Sequence, residues 1–117
     1  IDSWLKSEET NKYRKEVVDV MEYVEAHLDQ RLTLCMIAQH FEMSESTLSR
    51  MFKNETGKNM NYYINEKKMQ KAMEILVNDA AMIKDVAAAV GMDDQLYFNK
   101  VFKKYYHVSP SEVRKKR

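Results

Sequence analysis

The sequence predicts an all-α fold of about seven helices, and three observations carry that expectation. The 117 residues hold only two Gly and one Pro while Met, Leu, Lys and Glu are frequent, a composition that suits helices and gives strands little support. Apolar residues recur at spacings of three and four between good capping residues. The second half of the chain also repeats the first at an offset of 49 to 50 residues.

The elements follow in order. Residues 1–12 are polar apart from Ile1, Trp4 and Leu5, and read as the end of a linker from an upstream domain. Over 13–28, Val17, Met21, Val24 and Leu28 mark one face of a helix. In "LTLCMIAQHF", Thr33 caps a helix whose inward face is Met36, Ile37 and Phe41. Ser44 caps the next helix, residues 45–56, and Gly57 suits its left-handed stop. Residues 59–77 read as one long helix with Met60, Ile64, Ala72 and Ile75 on one face. Lys68 and Lys71 fall close to that face, which predicts a strut packed lightly on both sides. Residues 83–90 form a short helix stopped by Gly91, and Asp93 or Asp94 caps a helix over 95–106. Last, Ser109, Pro110 and Glu112 stand at the N-cap, N1 and N3 positions of a capping box.

The repeat turns this helix list into two units. Ile37-Ala38 and Met43 match Val86-Ala87 and Met92 at an offset of 49, and Leu48, Met51, Phe52 and Lys53 match Phe98, Val101, Phe102 and Lys103 at 50. Each unit is a short helix, a tight turn and a second helix. The small Ala38 and Ala87 let the two helices approach near the turn. Gly91 stands where the turn can require positive φ, and Glu42 holds that place in the first unit, where it is tolerable near αR or at a small strain. The chain thus divides into a first helix-turn-helix subdomain at 13–58, a long linker helix at 59–78 and a second subdomain at 79–117.

Sorting the second helix of each unit by face gives matching stripes. Leu48, Met51 and Phe52 point inward in the first, and Phe98, Val101, Phe102 and Tyr105 in the second. Opposite them lie Ser46, Ser49, Arg50 and Lys53, and then Leu96, Asn99, Lys100 and Lys103, each at i, i+3, i+4, i+7. A helix fits the DNA major groove and meets base edges with its N-terminal outward residues. Arg50 can give two hydrogen bonds to guanine, Asn99 or Gln95 can pair with adenine, and Leu96 can touch a thymine methyl. Lys53 and Lys103, one turn later, suit phosphate.

Charge supports the same end of the molecule. The net charge is +1, yet residues 95–117 carry seven Lys/Arg against one Glu, while residues 1–94 carry twelve against seventeen acids. Such asymmetry favours an acidic partner at the basic end. No apolar run approaches the roughly 18 residues of a membrane helix, so no membrane partner is expected. No signal peptide is read, and the single Cys fits a reducing, cytoplasmic setting. Cys35 and His40 lie five apart, about 140° around a helix, so no metal site is expected and Cys35 is read as half-buried packing. There is no Gly-rich phosphate loop and no nucleophile beside a base, so neither an enzyme nor a cofactor is expected. A helical interaction module, docking an acidic partner such as a polymerase subunit or an upstream regulatory domain, is the rival reading.

The stretches "IAQHFEMSESTLSRMFKNETGKNMNYYI" and "VAAAVGMDDQLYFNKVFKKYYHVSPSEVRKK" together resemble the DNA-binding domain of AraC/XylS-type bacterial transcription regulators. The resemblance runs from about Tyr13 to the C-terminus. It implies two helix-turn-helix subdomains joined by a long helix, with both recognition helices entering successive major-groove segments of double-stranded DNA about 34 Å apart. Carried over residue by residue, the base-contact candidates are Ser46, Ser49, Arg50, Gln95, Leu96, Asn99 and Lys100. The phosphate candidates are Lys53, Lys103 and the helix start at Ser109 and Ser111. Four departures stand out: His107 for the usual Gly, Val113 for Tyr, Lys68 where Arg is common, and Lys100 for an Arg often found there. Lys cannot copy the bidentate guanidinium fork, which favours phosphate over guanine at Lys100. Glu45 can accept from cytosine N4 or serve the helix dipole, and the dipole reading is the preferred one.

Overall fold

A computed structural model describes residues 13–78 and 80–115. The linker expected at 1–12 lies outside the described residues, as do 79, 116 and 117. Among the described residues there are seven helices and no strand. They are α1 (Lys15–Ala26), α2 (Leu34–His40), α3 (Glu45–Thr56), α4 (Met60–Asn78), α5 (Ile83–Ala89), α6 (Gln95–Tyr106) and α7 (Pro110–Lys115). None of them is long and apolar enough to cross a membrane.

Two apolar cores form, and α4 belongs to both. Val17, Val20, Val24, Ile37, Leu48 and Phe52 pack with Met60, Tyr63 and Ile64 from the first half of α4. Val86, Val90, Phe98 and Phe102 pack with Met69, Ala72 and Leu76 from its second half. The sequence misjudged some flanks. Val20 is fully buried while the expected Met21 is half-buried against the same core, and Met36, Lys71 and Cys35 are exposed. The packing partners, which lie far off in sequence, decide the flank.

The helix ends repeat as well as the helices. The amide of Met43 donates to the Ala38 carbonyl at 3.0 Å, and that of Met92 to Ala87 at 2.9 Å. These bonds close the two turns over residues with positive φ, Glu42 at 54° and Gly91 at 72°. Both second helices stop the same way: Gly57 (φ 77°) donates to the Lys53 carbonyl at 2.8 Å, and His107 (φ 61°) to Lys103 at 2.7 Å. Glu42 does not stay near αR, so it pays the left-handed strain, as His107 does.

Lys68 sits where the two cores meet, and the strut is packed tightly there. Its side chain is 4% exposed. Its ammonium donates to the carbonyls of Leu28 at 2.7 Å, Gln30 at 2.5 Å and Val90 at 2.7 Å, using all three N–H groups. Burial pulls its pKa down to about 8, with the nearby Asp29 charge opposing. Elsewhere α4 is tied by Tyr105, whose hydroxyl donates to the Tyr62 carbonyl at 2.9 Å, and by Arg114. The Arg114 guanidinium donates to the carbonyls of Ala81 and Leu76 and so fastens α7 to the end of α4.

Four substitutions test these turns and the Lys68 contacts. Gly57→Ala meets no atom within 4 Å of the new Cβ and should cost only the αL strain, about 1 kcal/mol, while His107→Gly should be neutral or stabilising by up to about 1 kcal/mol. Gly91→Ala adds a Cβ 2.5 Å from the Gln30 carbonyl oxygen and should cost well over twice as much as Gly57→Ala in chemical denaturation. Lys68→Met strands the buried Val90 carbonyl and the part-buried carbonyls of Leu28 and Gln30, and should cost about 2–3 kcal/mol near pH 7. The folded pKa near 8 lies below the unfolded value of 10.5. Between them the unfolded chain holds a proton that the folded chain has released, so this group adds stability as pH rises. The wild-type margin over Lys68→Met should therefore widen in urea melts from pH 7.5 to 9.5. The raised tyrosines, Tyr63 and Tyr105, act oppositely above pH 10 but are common to both proteins.

Candidate nucleic-acid interface

α3 and α6 each open on a side-chain cap that fixes their first turn. Ser44 Oγ accepts from the Thr47 amide at 3.1 Å and donates to Thr47 Oγ1 at 2.8 Å. Asp94 Oδ1 accepts from the amides of Leu96 at 3.0 Å and Tyr97 at 3.3 Å. The caps occupy first-turn amides, so side chains rather than bare helix ends face outward. Burial of Leu48 and Phe52 in α3, and of Phe98, Val101 and Phe102 in α6, then turns the opposite stripes to solvent.

Most of the expected stripe residues are exposed: Ser46, Arg50 and Lys53 on α3, and Gln95, Leu96, Lys100 and Lys103 on α6. Leu96 is 80% exposed, an unusual position for a large apolar side chain and one suited to a methyl contact. Ser49 and Asn99 are half-buried, and Asn99 Oδ1 is shielded from solvent with no hydrogen-bond partner among the described residues. The Asn99 end of the stripe is therefore narrower than the sequence implied. Ser109 is half-buried and Oγ accepts from the Glu112 amide at 3.2 Å, so its hydroxyl serves α7, while Ser111 is exposed. Glu45 lies in the first turn of α3, as the dipole role requires.

The ion pairs lie away from these stripes. Lys58 meets Glu66 at 2.8 Å, Lys67 meets Glu25 at 3.8 Å, and Arg14 meets Glu55 at 3.9 Å. The hydrogen bond that Lys58 donates to Glu66 raises the Lys58 pKa. Among the described residues, Arg50, Lys53, Lys100 and Lys103 have no acidic partner within ion-pair distance. Unpaired cations on matched stripes leave a field that an anionic partner satisfies.

Sequence reasoning missed one flank of α6. Tyr97, Lys100 and Lys104 stand at i, i+3, i+7 and face Asn59, just before α4, and Asn61, Tyr62 and Asn65 within it across a groove of about 390 Å³. A second groove of about 510 Å³ continues past Tyr97 to Arg31 and Thr33 of the first unit. The spacing of Tyr97, Lys100 and Lys104 was visible, but the asparagines opposite come from another helix and no local pattern marks them. Among the described residues no three His, Cys, Asp or Glu side chains gather as a metal site.

A family model for a helix-turn-helix domain matches residues 37–116. The chain is also 34% identical to the C-terminal domain of AraT, a response regulator from Geobacillus stearothermophilus. The TM-score is 0.88, over 91% of this chain and 88% of that one. The chain belongs to the AraC-type helix-turn-helix family. Its similarity to the arabinose operon regulatory protein of Salmonella typhimurium is 36% identity over 99 residues, covering 84% of this chain and 35% of that protein. The AraC-type domain thus spans about a third of the length of that relative. The DNA-binding domain of AdpA, solved in complex with a target DNA, shares the fold. Its TM-score is 0.79 at 20% identity, over 84% of this chain and 88% of that one. As a member of this family, the chain is a DNA-binding domain of a transcription regulator.

Proposed function

We propose that the AraC-type domain reads double-stranded DNA by laying α3 and α6 in successive major-groove segments on one face of the duplex. The observation that supports this is the pair of capped helices with matching outward stripes whose cations lack internal acidic partners. Arg50 reads guanine through its two-pronged guanidinium. Ser46, Ser49, Gln95 and Asn99 offer hydrogen bonds to base edges, and Leu96 meets a thymine methyl. Lys53 and Lys103 hold phosphate. Lys100, bordering the groove with Lys104, is shared between the two roles and favours phosphate. Ser111 and the α7 start sit near the flanking backbone, with Ser109 acting through the cap. No catalytic step or cofactor enters. In the whole regulator, which we place in the cytoplasm, an upstream domain supplies the signal and RNA polymerase is the downstream partner.

Selection of bound sequences from a random DNA pool, followed by footprinting, tests this reading. It should recover two protected segments about one helical turn apart. Arg50→Ala should weaken specific binding by about 1–3 kcal/mol and relax one base position. An equal loss on random DNA would make Arg50 a phosphate contact instead. Lys103→Ala should lower the slope of log affinity against log salt by about one unit while leaving sequence preference intact. A footprint confined to one segment, or none, would favour docking to an acidic protein surface.

A further inference from the structure

The two reading units come together at a close backbone approach beside one ammonium. Ile64, Lys68 and Ala72 form a stripe on α4 at four-residue spacing. Ile64 belongs to the first core and Ala72 to the second, and Lys68 lies between them. Two of its three acceptors, Leu28 and Gln30, come from the segment after α1 in the first unit, and the third, Val90, caps α5 in the second. At the same spot the two backbones meet. A Cβ on Gly91 would stand 2.5 Å from the Gln30 carbonyl oxygen and 3.0 Å from Lys68 Nζ. The helix α4 fixes the separation of the units, but a helix by itself leaves the packed units on its two ends free to rock and turn about its axis. Three short bonds diverging from one ammonium restrain both motions.

We infer that Lys68 is a positioning residue that sets the relative rotation of the two units, and with it the spacing of DNA segments that α3 and α6 can read together. The inference rests on the two-segment reading above. When the first unit is bound, binding of the second is intramolecular, and its gain depends on how closely the preset geometry matches the site. One added base pair displaces the second segment by about 3.4 Å and turns it by about 34°. A rigid pair of units rejects that change, and a loosened pair tolerates it at the expense of affinity for the correct spacing.

The test uses the 117-residue chain on three DNAs taken from the random-pool selection: the two-segment site, the same site with one base pair inserted between segments, and the first segment alone. The wild type should lose about tenfold or more on the insertion. Lys68→Met should bind the correct site about tenfold more weakly, lose less than about threefold further on the insertion, and match the wild type on the single segment. Lys68→Arg, which keeps charge and donors, should restore most of the spacing penalty. If Lys68→Met melts below the assay temperature, Lys68→Gln, with two N–H donors, takes its place with the same expectation. A spacing penalty as large as in the wild type overturns the inference, because α4 alone then sets the register. So does an equal loss on the single segment, which would mean general destabilisation. A wild type indifferent to the insertion sinks the two-segment reading itself and carries this inference down with it.

Discussion

A buried ammonium held by three backbone carbonyls organises this molecule. Taking a charge out of water costs several kcal/mol even after relaxation, and charge-assisted hydrogen bonds return about 1.5–3 kcal/mol each. The Lys68 arrangement therefore sits near balance as a source of stability. Its larger effect is geometric. A methionine of similar length could fill the same space, but it could not specify where the carbonyls of Leu28, Gln30 and Val90 must lie. Gly91 completes the constraint, since its missing side chain is what lets the Gln30 carbonyl come so near.

Around that point the fold is built twice from the same parts. Each unit has a small alanine at the helix crossing, an amide five residues later closing the turn, a side-chain cap on the outward-facing helix and a left-handed residue ending it. The two copies distribute their glycines in opposite ways. The first has Glu42 in the turn and Gly57 at the stop, while the second has Gly91 in the turn and His107 at the stop. Gly91 is needed for space as well as for φ, whereas Gly57 faces open surroundings. The one of the two glycine positions where a side chain would collide with the neighbouring backbone is thus in the second turn.

Much of this was legible in the residues. The bounds of α3 and α6 follow from Ser44, Gly57 and the aspartates before Gln95, because caps act over three or four residues and need no tertiary context. The matched outward stripes followed from the repeat and the inward phenylalanines. Flanks were less legible. A period of three to four residues points a face only to within a residue or so, so Val20 was passed over beside Met21, and Met36 was turned inward although it is exposed. The role of Lys68 was the hardest to see. Its acceptors lie 22 to 40 residues away, and from periodicity alone a basic residue in an apolar stripe looks like a weakness in the packing. The half-burial of Asn99 and the asparagines facing Lys100 were hidden for the same reason, since both depend on which neighbouring helix comes close.

The sharing of α4 has a consequence for how the chain holds together in time. Neither set of short helices can bury its apolar face without its half of that helix, and the two halves are continuous through Lys68. Local opening of one unit would expose the α4 face on which it packs and weaken the terminus of the helix serving the other. The domain should thus behave as one cooperative folding unit despite its two cores. A protease that cut within α4 would leave two fragments, each holding a complete helix-turn-helix motif and neither holding the complete strut that binds the pair.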